Sequence, residues 1–256
     1  MDADLINKLL PSAVLIGMRI AVMMSVAPFF GGEVMPSLSK AAFTVAFTAV
    51  MLPVYTPPTI PQTLGAWVQV ASGELAIGLL MALGLHFVFE AARLAGQIMG
   101  FQLGYSLVNI IDPQTQVDTP VLSVFLYTLV TLIFLQLNVH HWMLRGLAHS
   151  YQVVAPGQVT ITTATMTTLM QAAGGIFRAA VEIAAPVIAA TLLVDVLLAF
   201  MAKASPQIPV LVMGMAVKSM VGFAVLWVVV GNWPGLFARY FDGALRLTSQ
   251  LLRSVY

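Results

Sequence analysis

Gly96-Gln97-Ile98-Met99-Gly100-Phe101-Gln102-Leu103-Gly104-Tyr105-Ser106-Leu107-Val108-Asn109-Ile110-Ile111-Asp112-Pro113-Gln114-Thr115-Gln116-Val117-Asp118-Thr119-Pro120 decides how this chain is read. The stretch begins as an apolar helix with a glycine every fourth residue. It ends as a polar island with two aspartates and neither lysine nor arginine. Glycines at that spacing share one helix face and admit a second helix at close range. Gly96, Gly100 and Gly104 are therefore expected to pack against a neighbouring helix. The island cannot continue a membrane helix, because Pro113 and Pro120 lack a backbone donor and restrict the residue before them. A tightly packed helix thus delivers an acidic loop to a definite place.

The rest of the chain is apolar. Of its 256 residues 60% are hydrophobic and 8% charged, with a mean hydropathy of +0.95. A soluble domain carries about 25% charged residues, so the composition is that of an integral membrane protein, and the fold class expected is all-α. A net charge of +1 argues against electrostatic nucleic-acid binding. The absence of cysteine removes disulfides, thiolate metal sites and cysteine nucleophiles. Asp2, Asp4 and Lys8 make a poor n-region for a secretory signal, so the first apolar segment reads as retained.

Six apolar segments follow one another: 9–30, 41–55, 65–104, 121–144, 166–204 and 210–230. Gly31 to Glu33 and Pro36 to Lys40 read as a turn. A polar connection covers 149–168, and Ser205-Pro206-Gln207-Ile208-Pro209 makes a tight turn. Residues 233–256 read as an amphipathic helix with Arg239, Arg246 and Arg253 at near-heptad spacing. The organisation expected is an N-terminal helical part (1–160), a C-terminal hairpin (161–232) and the tail. A spanning helix needs roughly 20 residues, and segments three and five are nearly twice that. They are expected to be broken (at Gly78, Gly84 or Pro186), steeply tilted, or to project beyond the bilayer against partners. The basic tail reads as cytoplasmic and the cation-free 105–120 loop as lying on the far side.

Nine charged residues lie in or beside the apolar segments: Arg19, Glu74, Glu90, Arg93, Arg178, Glu182, Asp195, Lys203 and Lys218. A charge at a bilayer centre costs about 2.5–3.5 kcal/mol, so these are expected to be buried in protein or to line a water path. Glu90 with Arg93 and Arg178 with Glu182 have helical pair spacing. Arg19 and Glu74 have no close partner in sequence and are candidates to meet between helices. His140, His141 and His149 lack the convergent ligands of a metal site. The methionines read as core filling or as a soft gasket around a pore. No nucleophile elbow, phosphate-cradling loop or paired catalytic carboxylates are present. Neither catalytic residues nor a cofactor are expected.

The order of several motifs resembles the FliR family of flagellar export proteins. They are Arg19, Ala27-Pro28-Phe29, Pro36 with Lys40, Glu74 with Gly78, the 96–104 glycines leading to Asp112-Pro113, His149-Ser150-Tyr151 before Pro156-Gly157, Pro206-Gln207, and Gly214 with Lys218. The likeness runs over essentially the whole chain. Two departures, Lys203 and Pro209, fall at the last hairpin. The resemblance implies a non-enzymatic subunit of the type III export gate in the bacterial inner membrane. It implies a FliP-like part fused to a FliQ-like hairpin, built into a helical hetero-oligomer with FliP-like and FliQ-like subunits and an FlhB-like associate. Unfolded exported proteins would be the substrate, and Tyr105 to Asp118 would plug the pore. The homologous injectisome export-gate subunit, a close relative, is the alternative that the resemblance leaves open. A small-molecule or ion transporter is the competing reading, and it calls for internal repeats and a midplane polar cluster.

Overall fold

The computed structural model describes residues 3–31, 35–55, 61–105, 121–155, 159, 162–205 and 210–254. All regular structure among them is helical. The described residues form, in chain order, eight helices: α1 (Ala3–Val26), α2 (Ser37–Met51), α3 (Leu64–Gln102), α4 (Val121–Gln136), α5 (Val139–Val153), α6 (Thr163–Ala204), α7 (Val210–Val230) and α8 (Trp233–Ser254).

The chain forms two compact units that interleave in sequence. The first comprises Met1–Val88, Phe134–Ala173 and Phe241–Tyr256, and the second Phe89–Ile133 and Gly174–Tyr240. In the first unit α1 buries Leu15, Ile16, Arg19, Ile20, Met23 and Met24, a stripe at helical spacing. Glycines set how closely its neighbours approach. A Cβ on Gly78 of α3 would lie 2.5 Å from the Arg19 carbonyl oxygen, so α3 meets α1 at backbone range. A Cβ on Gly84 would lie 2.8 Å from Thr248 Oγ1, which fixes α3 against the end of α8. Phe134 meets Phe241 edge-on at 5.7 Å between centroids.

At its far end the same unit clasps the start of α6. The hydroxyls of Thr162 and Thr165 donate to the Ser254 carbonyl at 3.1 and 3.3 Å. Thr162 also accepts the Thr165 amide, capping α6. The positive end of one helix dipole thus meets the negative end of another.

In the second unit α3 and α4 lie in contact through glycine. A Cβ on Gly96 would sit 2.5 Å from Ser123 Cα. The Ser123 hydroxyl donates to the Arg93 carbonyl at 3.0 Å. Helices α6 and α7 form a hairpin in which Leu198 lies over Gly214, and Lys218 of α7 reaches Asp195 of α6 at 2.7 Å.

Several sequence expectations are revised. Ser37 to Lys40 form the first turn of α2 rather than a turn between segments, with Pro36 at the N-cap position. Segment four is two helices bent by 67°. The break is at Asn138, whose φ of 55° is left-handed. His149 to Val153 belong to α5, and the start of the polar connection is helical. Helix α3 runs 39 residues without a break at Gly78 or Gly84. Helix α6 runs 42 residues with Pro186 inside it. Among the described residues four helices are long and apolar enough to cross a membrane, up to five if α4 and α5 count as one span, where six apolar segments were expected. The 15-residue α2 is too short. The late turn with Pro206 and Pro209 lies outside the described residues.

Candidate functional site

The mount of the acidic loop is the end of α3. The Tyr105 amide donates to the Gly100 carbonyl at 3.0 Å, and the Gly104 amide to that of Phe101 at 3.1 Å. These two bonds are a Schellman motif, which needs a left-handed residue at the first position past the helix, and Gly104 has φ 85°. Gly104 therefore terminates α3 rather than extending its packing face. Gly100 is buried, and its carbonyl serves the cap. The adjoining Leu103 is buried, its side chain seated in the notch left by Gly222 of α7. The Ser219 hydroxyl donates to the Leu103 carbonyl at 3.1 Å. The Tyr105 ring meets Phe223 edge-on, 5.9 Å between centroids. Tyr105 is thus the only member of the expected plug in view. Ser106 to Asp118 lie outside the described residues. A cavity of about 450 Å³ adjoins the cap, between Gly104, Leu198 and Met215, with the Asp195–Lys218 pair in its wall.

The strongest polar constellation lies in the first unit. Arg19 Nε donates to Glu74 Oε2 at 2.8 Å, with both side chains fully buried. Its Nη1 donates to Ser150 Oγ at 3.0 Å and its Nη2 to the Val154 carbonyl at 3.2 Å. The guanidinium lies 4.3 Å from the centre of the Tyr151 ring, whose hydroxyl donates to the Ile16 carbonyl at 2.8 Å. The arginine fork is used on three sides and its face on a fourth. The arrangement has a buried charge neutralised by a buried charge, as insertion demands, and it offers no open position for a substrate.

Other charges fare differently. Glu90 and Arg93 meet at 3.3 Å as an i, i+3 pair, and Arg93 also covers the Tyr127 ring. Asp195 pairs with Lys218 across the hairpin, an association the sequence reading did not make. Lys203 is exposed at the end of α6. The expected Arg178–Glu182 pair does not form: both side chains are exposed, and neither is in an ion pair among the described residues. Helical spacing brings two side chains within reach without fixing their rotamers. The Tyr240 phenol is held protonated well above its ordinary range, by burial first and then by the Glu182 carboxylate, and its buried hydroxyl has no hydrogen-bond partner among the described residues. Of the nine charges expected to be buried, Arg19 and Glu74 are.

Sequence reasoning missed the contributions of Ser150, Tyr151 and the Val154 carbonyl to the Arg19 cluster. The available signal was a Ser-Tyr dipeptide at the end of an apolar run. The His140 and His141 rings lie 4.2 Å apart, and no group of three metal-ligating residues exists among the described residues.

Comparison with known proteins adds the family. The profile described as bacterial export proteins, family 1, matches residues 10–244. The chain belongs to this family. The flagellar biosynthetic protein FliR of Bacillus subtilis (strain 168) is 29% identical over 234 residues, 88% of this chain and 90% of the relative. That of Pectobacterium carotovorum is 27% identical, covering 92% of each chain. That of Escherichia coli (strain K12) is 25% identical over 82% of this chain and 80% of the relative. The export-family match takes in α3, its cap and both members of the Arg19–Glu74 pair.

Proposed function

We propose that the chain is a core membrane subunit of the flagellar type III export gate and forms part of its protein-conducting channel. The match to the export family over residues 10–244 carries this reading, and its relatives bear the name FliR. Its partners in this reading are FliP-like and FliQ-like membrane subunits with an FlhB-like associate, in the bacterial inner membrane. Its substrates are unfolded exported proteins. The work is mechanical rather than covalent. A packed array of helices holds a pore closed with a short segment until a substrate is fed in.

The closing segment in this reading is Tyr105 to Asp118. Two features support it. The chain leaves α3 through a capped, glycine-defined corner, with Leu103 anchored on α7, so the segment starts from a fixed point. Its Ile110-Ile111 step is apolar enough to seal against apolar walls, and without lysine or arginine it is displaced without breaking ion pairs. The test is deletion of Ser106 to Val117 in an otherwise intact complex, followed by ion conductance across the membrane. Greater leak with normal assembly is expected. A deletion that assembles and leaks no more than the parent excludes the plug.

A further inference from the structure

Helix α6 presents an exposed stripe in the second unit, Gly174, Phe177, Val181, Ala185, Leu192 and Val196, with half-buried Ile188 between Ala185 and Leu192. Phe177 is 68% exposed, and a Cβ added to Gly174 would meet nothing within 4 Å. Near the start of this stripe stands Arg178, with no carboxylate of the described residues in ion-pair range. Its helical neighbour Glu182, one turn on, is exposed and likewise in no ion pair among the described residues.

We infer that this face of α6 seats an apolar helix of a partner membrane subunit, which carries a carboxylate opposite Arg178. The inference rests on the export-gate reading and adds the chemistry of one contact. An arginine facing hydrocarbon costs about 2.5–3.5 kcal/mol on insertion scales, whereas a guanidinium–carboxylate fork satisfies it with two charge-assisted bonds. Lipid does not sheath the whole of α6. Its 42 residues extend about 63 Å, twice the thickness of a bilayer core. The open space at Gly174 and the small Ala185 allow close approach of the second helix.

The test uses the full chain co-expressed with the other membrane subunits of its own export apparatus. Arg178→Glu is expected to lower recovery of the co-purified complex about tenfold, because like charges then face each other. The variant chain alone should still insert and keep its helical circular dichroism, since Arg178 makes no ion pair among the described residues. Selection for restored motility should return an acid-to-base change in an apolar helix of a partner subunit. Should Arg178→Glu fail to insert, Arg178→Gln is measured instead, with a smaller loss of the same sign. A parental yield from either variant overturns the inference. So do suppressors confined to this chain, or a loss relieved by changing anionic lipid content, which would assign Arg178 to headgroups. Failure of the export-gate reading looks different: the parental chain itself would neither co-purify with those subunits nor support motility.

Discussion

The Arg19 guanidinium and the Glu74 carboxylate bond at 2.8 Å where neither side chain meets solvent, and they join α1 to α3. Removing Glu74 leaves the Arg19 guanidinium buried without its carboxylate, and removing Arg19 frees the Ser150 and Val154 acceptors. Glu74→Ala is expected to cost about 3–5 kcal/mol. The double change Arg19→Met with Glu74→Leu should cost less than either Arg19→Ala or Glu74→Ala. Unfolding midpoints of the purified chain in detergent measure both. A double variant worse than both single changes would mean that the residues have separate roles.

Glycines in contact and glycines in the open should respond with opposite signs. Gly96→Ala drives a methyl into the Ser123 backbone and is expected to destabilise by about 1–3 kcal/mol. Gly243→Ala on α8 meets nothing within 4 Å and is expected to stabilise by up to about 1 kcal/mol through helix propensity. Thermal unfolding of the two variants side by side is the check.

Gly104 holds φ 85° at the corner after α3. Gly104→Ala places a Cβ in the left-handed region at a cost of about 1–2 kcal/mol, and Gly104→Asn should cost less. The loss should be local. Hydrogen exchange at the Tyr105 amide is expected to speed up in Gly104→Ala while the α1 amides stay as they are. Uniform acceleration would argue against a local cap.

The tail should face the cytoplasm. Arg239, Arg246 and Arg253 are all exposed on α8, whereas Phe237, Phe241 and Leu251 are buried. Arg246 is tied to Asp242 at 2.6 Å, which leaves Arg239 and Arg253 outside any ion pair among the described residues. A cytoplasm-active reporter fused after Tyr256 is expected to work, by the positive-inside rule. Activity confined to a periplasmic reporter reverses the orientation.

Hydropathy and punctuation made most helices legible, because an apolar run bounded by Pro and Gly has few alternatives. Helix α7 matches its apolar run at both bounds, and α3 and α6 match theirs to within a few residues. The bend at Asn138 was not legible. The apolar run continues across it, and one left-handed residue leaves no periodic trace. In the candidate site the cap at Gly104 is encoded only by a glycine that also fits a packing face. The Arg19–Glu74 bond required knowing which helices touch, which the sequence left open. Arg178 and Glu182 mislead for a related reason: spacing permits a pair, but it does not fix the rotamers that would make one.

The clasp of Thr162 and Thr165 on Ser254 has a consequence for the order of biogenesis. The first unit is assembled from three separate lengths of chain, and residues 241–254 leave the ribosome last of the three. Until then Gly84 lacks the α8 backbone that fits against it, and Thr165 lacks the carbonyl it bonds. The start of α6 must therefore wait, membrane-inserted but unclosed, through the synthesis of the whole α6–α7 hairpin. Completion of the first unit waits on the synthesis of α8, so a truncated chain lacking α8 would leave an open unit for quality-control proteases to find.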